Sequence, residues 1–309
     1  MNLLLEEKPI EAMNYFKEAI AANPHCLEAH VELGYILGSM DKYEDALNAF
    51  QKAVEIDDNF PGLFGQGLAY YFLGKYDSAK KALKRAISFG ENEDIYYYLA
   101  SIDLEEQNYK EAIINYENAI SFDADFVEAY NDCGVAYSIL ENDLLAQMYF
   151  RTALAVEPYY EPALYNLGVC LVELGEYEEA RFFLMQLLDQ DPDNFKAQFY
   201  MGHCCYLDGN EEEASKYFIK ALEIDNTQYG LWDYLAYIQI GLNQNYEAIE
   251  SLNNAINLNP KLESAHLKLA EIYLDLGREN EALKYFKNVL EINPDNEEAK
   301  FSIELFNEW

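Results

Sequence analysis

Residues 266–294 read HLKLAEIYLDLGRENEALKYFKNVLEINP. Apolar residues recur at spacings of three and four on both sides of the polar break LGRENEA, the pattern of two amphipathic helices joined by a tight bend. The same arrangement stands at 231–260, with LWDYLAYIQ before the break and YEAIESLNNAINLNP after it. Superimposing the two stretches brings Ala282 over Ala248, 34 residues earlier.

That register runs the length of the chain. An alanine recurs at 12, 46, 79, 112, 146, 180, 214, 248 and 282, at spacings of 33 or 34. Twelve residues before this anchor stand Gly34, Gly67, Ala100, Gly134, Gly168, Gly202, Ala236 and Ala270, all small. Four residues after it every unit has a large apolar or aromatic residue, from Phe16 to Phe286, and seven after it alanine fills seven of nine places. Twelve after it fall Pro24, Pro158, Pro192, Pro260 and Pro294, five of the eight prolines. A fixed period of this length marks stacked repeats. The small residues let two helices approach closely, and proline ends each pair because it cannot continue the helical ladder. Such a pair buries its apolar face only against its neighbours.

These residues resemble the tetratricopeptide repeat (TPR) family, whose pattern of aromatic, Leu-Gly, Tyr, then Ala, Phe or Tyr, Ala and Pro is met at 231–260 and 266–294. The resemblance covers essentially the whole chain. It implies an all-α, right-handed superhelical solenoid of stacked antiparallel helix pairs, as one array over 1–309. The units fall at 27–59, 60–92, 93–126, 127–160, 161–194, 195–228, 229–262 and 263–296, with a partial first unit at 1–26 and a C-terminal capping helix at 297–309. Two units both lack the proline and follow the preceding anchor at the shorter spacing. Those at 60–92 and 93–126 carry Glu91 and Ala124 in place of the proline and are a residue short ahead of their anchors, so altered geometry is expected near Gly90. Ala12 lies too near the start for a full first helix.

With 21 basic against 56 acidic residues, a net charge of −35, the chain repels nucleic-acid phosphates and anionic lipid. Five scattered cysteines suit a reducing compartment better than a disulfide framework. The start, MNLLLEEKPIEAM, is too short in apolar residues for a signal peptide, and no apolar run reaches membrane-spanning length. A cytoplasmic protein is expected.

Apparent chemical motifs dissolve into the repeat. In MGHCCYLDG (201–209), Cys204 falls ten residues before its anchor, where other units have Ile36, Ile102, Cys170 and Ile272, and Cys205 shares a helix-facing place with Leu37 and Leu171. Both read as core residues, since cysteine behaves as a small hydrophobe and helical metal pairs stand four apart. DQDPDNF (189–195) lacks the glycine and the closing glutamate of a calcium loop, and GLFGQGLAYY (62–71) follows no strand. No catalytic residue, cofactor or metal is expected.

In the resembled family the first helices line a concave groove, and its exposed places lie fifteen, eleven and eight residues before the anchor, one stripe on a helix. Of the 24 such places 17 are apolar or aromatic, two are acidic and none is basic. Part of the stripe is expected to pack between neighbouring first helices. The residues chosen as a partner-binding groove are Tyr35, Phe64, Tyr71, Tyr97, Asn131, Tyr165, Val169, Phe199, His203, Tyr206 and Tyr237. They describe a non-enzymatic scaffold or adaptor for an apolar protein or peptide segment with basic flanks, and not for nucleic acid or membrane. The alternative is an accessory array of a larger enzyme or sensor. The tail EEAKFSIELFNEW (297–309) sets Phe301, Leu305 and Trp309 on one stripe and Ala299, Ile303 and Phe306 on another, which with the partial first unit invites end-to-end self-association.

Overall fold

A computed structural model describes residues 9–307, which are helical throughout apart from the bends. Two compact units divide the chain, Met1–Ala163 and Leu164–Trp309. The first holds α1 (Pro9–Ala22), α2 and α3 (Leu27–Ser39, Tyr43–Ile56), α4 and α5 (Phe60–Phe72, Tyr76–Ile87), α6 and α7 (Glu93–Glu105, Tyr109–Phe122), and α8 and α9 (Val127–Ile139, Asp143–Val156). The boundary falls within α10 (Glu161–Glu173). The second unit continues with α11 (Tyr177–Gln190), α12 and α13 (Phe195–Leu207, Glu211–Ile224), α14 and α15 (Tyr229–Gly241, Asn245–Leu258), α16 and α17 (Glu263–Asp275, Glu279–Ile292), and α18 (Glu297–Asn307). Each unit is a stack of antiparallel helix pairs, and no strand occurs among the described residues.

The small residue of each first helix is a seat for the large residue of its own second helix. A Cβ added at Gly34 would stand 2.6 Å from Phe50, at Gly134 2.6 Å from Phe150, at Gly168 2.7 Å from Leu184 and at Gly202 2.8 Å from Phe218. Those four large side chains are at most 3% exposed, and the anchor alanines from Ala46 to Ala282 at most 1%. In these four pairs the close approach is therefore between a bare backbone on one helix and a ring or leucine on the other.

The bend in each pair follows one rule. The residue five before the anchor has positive φ: Asp41, Gly74, Gln107 and Glu141 in the first unit, Gly175, Gly209, Asn243 and Gly277 in the second. The next N–H then bonds back across the helix end, as from Lys42 to the Leu37 carbonyl at 2.9 Å and from Asn210 to Cys205 at 2.8 Å, a Schellman closure. Between pairs, the residue ahead of the proline place leaves the helix in an extended conformation, as at Asp57, Asp191 and Asn293. A donor sixteen before the anchor clamps that turn: His30 Nε2 lies 3.0 Å from the Pro24 carbonyl, Gln198 Nε2 2.9 Å from Pro192, Trp232 Nε1 2.9 Å from Asn226 and His266 Nε2 3.0 Å from Pro260. A carbonyl only accepts, so both histidines carry their proton on Nε2.

Near Gly90, α5 has 12 residues where the other complete second helices have 14, and it closes in a turn from Ser88 to Gly90 with N–H groups bonded three residues back. Asn92 restarts the chain by capping α6 through the Ile95 N–H at 3.1 Å. Cys204 and Cys205 are fully buried; the Cys204 thiol donates to the Tyr177 carbonyl at 3.3 Å, and burial pushes both thiols up to about 11. At the ends, Met13, Phe16 and Ile20 of α1 pack on the first core, while Ile303 and Phe306 of α18, with Ala299, pack on the last. Phe301 and Leu305 are exposed, 63% and 45%; Trp309, placed on their stripe by the sequence, lies outside the described residues.

Candidate protein-binding face

In the first unit the first helices carry rings that meet one another or a ring of a second helix. Tyr35 meets Phe50 edge-on at 4.9 Å and donates its hydroxyl to the Pro61 carbonyl at 3.1 Å. Tyr71 lies 5.2 Å from Phe72 and 5.4 Å from Tyr98, and Phe72, half exposed, stacks on Tyr43 at 4.8 Å. Tyr97 donates to Asp132 at 2.8 Å. Two residues expected on this face are buried instead. Phe64 (8% exposed) packs in the core between α4 and α6, and Asn131 (4%) turns its amide onto Asp132 at 2.9 Å. Both stand fifteen before the anchor, a place where burial varies from unit to unit, since Tyr97, Tyr165 and Phe199 at the same place stay half-buried.

The charge on this face comes from carboxylates. Burial, then Glu32 and Asp94, hold the Tyr35 hydroxyl above its ordinary range; burial, then Glu105, does so for Tyr71, and burial, then Asp132, for Tyr97 and Tyr116. Asp132 is itself pushed up by burial, against the donors Tyr97 and Asn131.

In the second unit Tyr165 meets Tyr200 edge-on at 5.6 Å, with the Lys196 ammonium 5.3 Å above its ring. Val169, one helical turn after Tyr165 on α10, is half-buried. Phe199 stacks between Phe195 (6.4 Å) and His203 (6.1 Å); burial lowers the His203 pKa, and its Nδ1 is buried with no hydrogen-bond partner. Tyr206 meets Tyr234 edge-on at 5.3 Å. Tyr237 is the most open of the set at 52%, with Lys268 5.9 Å from its ring and 2.9 Å from Asp233.

Sequence reasoning missed the place fourteen before the anchor. Tyr98, Asp132, Tyr200, Tyr234 and Lys268 occupy it, and each reaches back to the preceding pair's stripe. The signal was available, because tyrosine recurs there three times. Also missed were exposed apolar residues on second helices: Ile114, Leu144 and Met148 in the first unit, Phe182 and Met185 in the second. Ile114, Met148 and Phe182 share the place two after the anchor.

Tetratricopeptide repeat family models match residues 3–66, 145–199 and 239–300, and 61–89 and 196–228; a TPR repeat model matches 100–138. The chain belongs to the tetratricopeptide repeat family. This TPR protein is 24% identical over 200 residues to human protein O-mannosyl-transferase TMTC3, covering 62% of this chain and 22% of that protein. It is 24% identical over 208 residues to mouse DnaJ homolog subfamily C member 7, covering 60% of this chain and 40% of that protein. The chain thus spans less than half the length of these curated relatives. Among solved structures, a tetratricopeptide repeat protein from Parabacteroides merdae superposes with a TM-score of 0.56 at 19% identity, over 80% of this chain and 98% of its own. The C-terminal part of a TPR repeat-containing protein from Cytophaga hutchinsonii gives 0.57 at 18%, over 88% and 99%. At such identities the likeness is one of fold. TPR repeats generally mediate protein–protein interactions, and the TPR fold is typically non-catalytic. Among the described residues, no helix is long and apolar enough to cross a membrane.

Proposed function

We propose that this TPR array is a non-enzymatic scaffold or adaptor that holds an apolar protein segment with basic flanks against its first-helix faces. The observation that carries the reading is the row Phe199, Tyr206 and Tyr237: aromatic rings on successive first helices that remain partly or largely exposed in the folded unit. Exposed rings in series are what a protein partner covers, and aromatic anchors supply most of the energy of such a contact. The carboxylates that act on the tyrosines of the first unit favour basic flanks.

The test is Phe199→Ala together with Tyr206→Ala. The pair should weaken a captured partner by about 2–4 kcal/mol while the helical circular dichroism stays unchanged. Reversing the exposed glutamates Glu178 and Glu212 on the second helices should mainly alter the salt dependence. Loss of binding on charge reversal, with the aromatic pair without effect, refutes the proposal. A second reading is favoured by one relative: the match covers 22% of a protein named as an O-mannosyl-transferase, as an accessory array within a larger enzyme would. A catalytic domain encoded in the same reading frame would establish it.

A further inference from the structure

Two side chains meet in the groove between neighbouring first helices, the one eight before one anchor and the one fourteen before the next. Between α4 and α6 they are Tyr71 and Tyr98, 5.4 Å apart at 65°; between α12 and α14 they are Tyr206 and Tyr234, 5.3 Å apart at 72°. Between α2 and α4 both are glycine, Gly38 and Gly65. The space that a tyrosine pair fills elsewhere is here a cavity of about 230 Å³, walled by Tyr35, Tyr43, Phe50, Leu68 and Phe72 and by bare glycine backbone.

The cavity does not close by collapse, because its walls are tied. Phe50 is held between Gly34 and Gly65, each of which a Cβ would drive into its ring. Tyr35 is bonded to the Pro61 carbonyl and Tyr43 to Asp41 at 2.6 Å. A Cβ on Gly38, by contrast, would meet nothing within 4 Å, so the open volume lies directly over that residue. Carboxylates surround this site: Asp41 accepts from the wall residue Tyr43, and the charges of Glu32 and Asp94 act on the wall residue Tyr35. Lys52, Lys80 and Arg85 of this unit pair with Glu55, Asp58, Asp103 and Glu106 rather than with these three. In the second unit the chain supplies such a cation itself, Lys268 lying between Asp233 and the Tyr237 ring.

We infer that the Gly38–Gly65 cavity seats one aromatic side chain of a partner segment, a phenylalanine or tyrosine, with a lysine or arginine beside it. The inference rests on the first-helix face being the binding face and names the ligand chemistry at one point of it. The incoming ring replaces the missing tyrosine pair against Phe72 and Tyr43, and the basic neighbour meets Glu32 and Asp94. An apolar pocket with fixed walls is where an interface anchor contributes most, since little side-chain freedom remains to be lost on binding.

The test uses three acetylated, amidated peptides, Lys-Lys-Phe-Lys-Lys, Lys-Lys-Ala-Lys-Lys and Glu-Glu-Phe-Glu-Glu, titrated into the whole chain and followed by amide chemical shifts. The phenylalanine-lysine peptide should bind at least about tenfold tighter than either control, with shifts centred on Gly34, Gly38 and Gly65. Gly38→Tyr rebuilds half of the plug in open space and should abolish that binding with the remaining spectrum unchanged. Should this variant disturb the fold, Phe72→Ala, which removes a half-exposed wall, must weaken the same peptide at least about fivefold. Equal binding of either control peptide, or undiminished binding by Gly38→Tyr, overturns the inference. If the cavity fails in this way while Phe199→Ala with Tyr206→Ala still weakens a captured partner, the cavity is lost and the binding face stands.

Discussion

Replacing Gly134 by alanine adds one carbon at a place where there is no room for it. The new Cβ would lie 2.6 Å from Phe150 Cε1, 2.7 Å from Cδ1 and 3.1 Å from Cζ, whereas carbons rest at about 3.5–4.0 Å. The ring must withdraw by about 1 Å, and at 2% exposure it has nowhere to go. Such overpacking costs about 1–3 kcal/mol, against a gain of about 1 kcal/mol for alanine over glycine in mid-helix, a net loss near 1 kcal/mol. The structure also names the remedy, since Ala236 and Leu252 fill the same two places in one core cluster. Phe150→Leu alone should destabilise by leaving a void, but together with Gly134→Ala it recreates that pair. The two changes should therefore couple favourably by about 1–2 kcal/mol. Hydrogen exchange in α8 and α9 is the suitable assay, because a repeat array opens segment by segment. Additivity within about 0.5 kcal/mol would refute the seat-and-ring account of the pairs.

Gln107 and Glu141 hold positive φ without the freedom of glycine, so Gln107→Gly and Glu141→Gly should each stabilise by about 0.5–1 kcal/mol in thermal melts, while Gly209→Ala should cost about 1 kcal/mol. Glu271 of α16 is pushed up to about 7 by burial, then by its hydrogen bond to Glu298 of α18 and that group's charge, then by Asp275, against Lys268. Its neutral form suits the folded state, so its contribution is complete below the ordinary carboxylate pKa and is lost as pH rises through 7. Hydrogen-exchange protection of α18 should fall over that window and become flat in Glu271→Gln. Tyr97→Phe leaves Asp132 with one of its two donors and should cost about 1–3 kcal/mol in chemical denaturation, with Asp132→Asn restoring much of the loss.

The helix pairs were legible because each is built from a local rule repeated many times: a small residue, an anchor alanine, a large residue sixteen after the small one, and a proline at the exit. The positive-φ bend was not, since Asp41, Gly74, Gln107 and Asn243 share a backbone shape and no side-chain chemistry. The binding face was legible only in outline. Periodicity locates a stripe on one helix, but whether Phe64 is free or buried depends on Tyr98 from the next pair, and whether Asn131 is available depends on its neighbour Asp132. The cavity at Gly38 and Gly65 is visible in the sequence only after the structure shows that these two places meet. The exposed Ile114, Met148 and Phe182 share one place in the repeat, yet an apolar residue on a second helix reads from periodicity as core whether or not a neighbour covers it.

The most direct measurement compares two tyrosines of one repeat, Tyr237 on the first helix, 52% exposed, and Tyr246 on the second, 75% exposed. Each is replaced in turn by the photoreactive benzoylphenylalanine, and the protein is irradiated with its captured partner bound. Recognition by the first-helix face predicts a cross-link from position 237 and none from position 246. A cross-link from 246 with none from 237 would contradict it and assign recognition to the second helices.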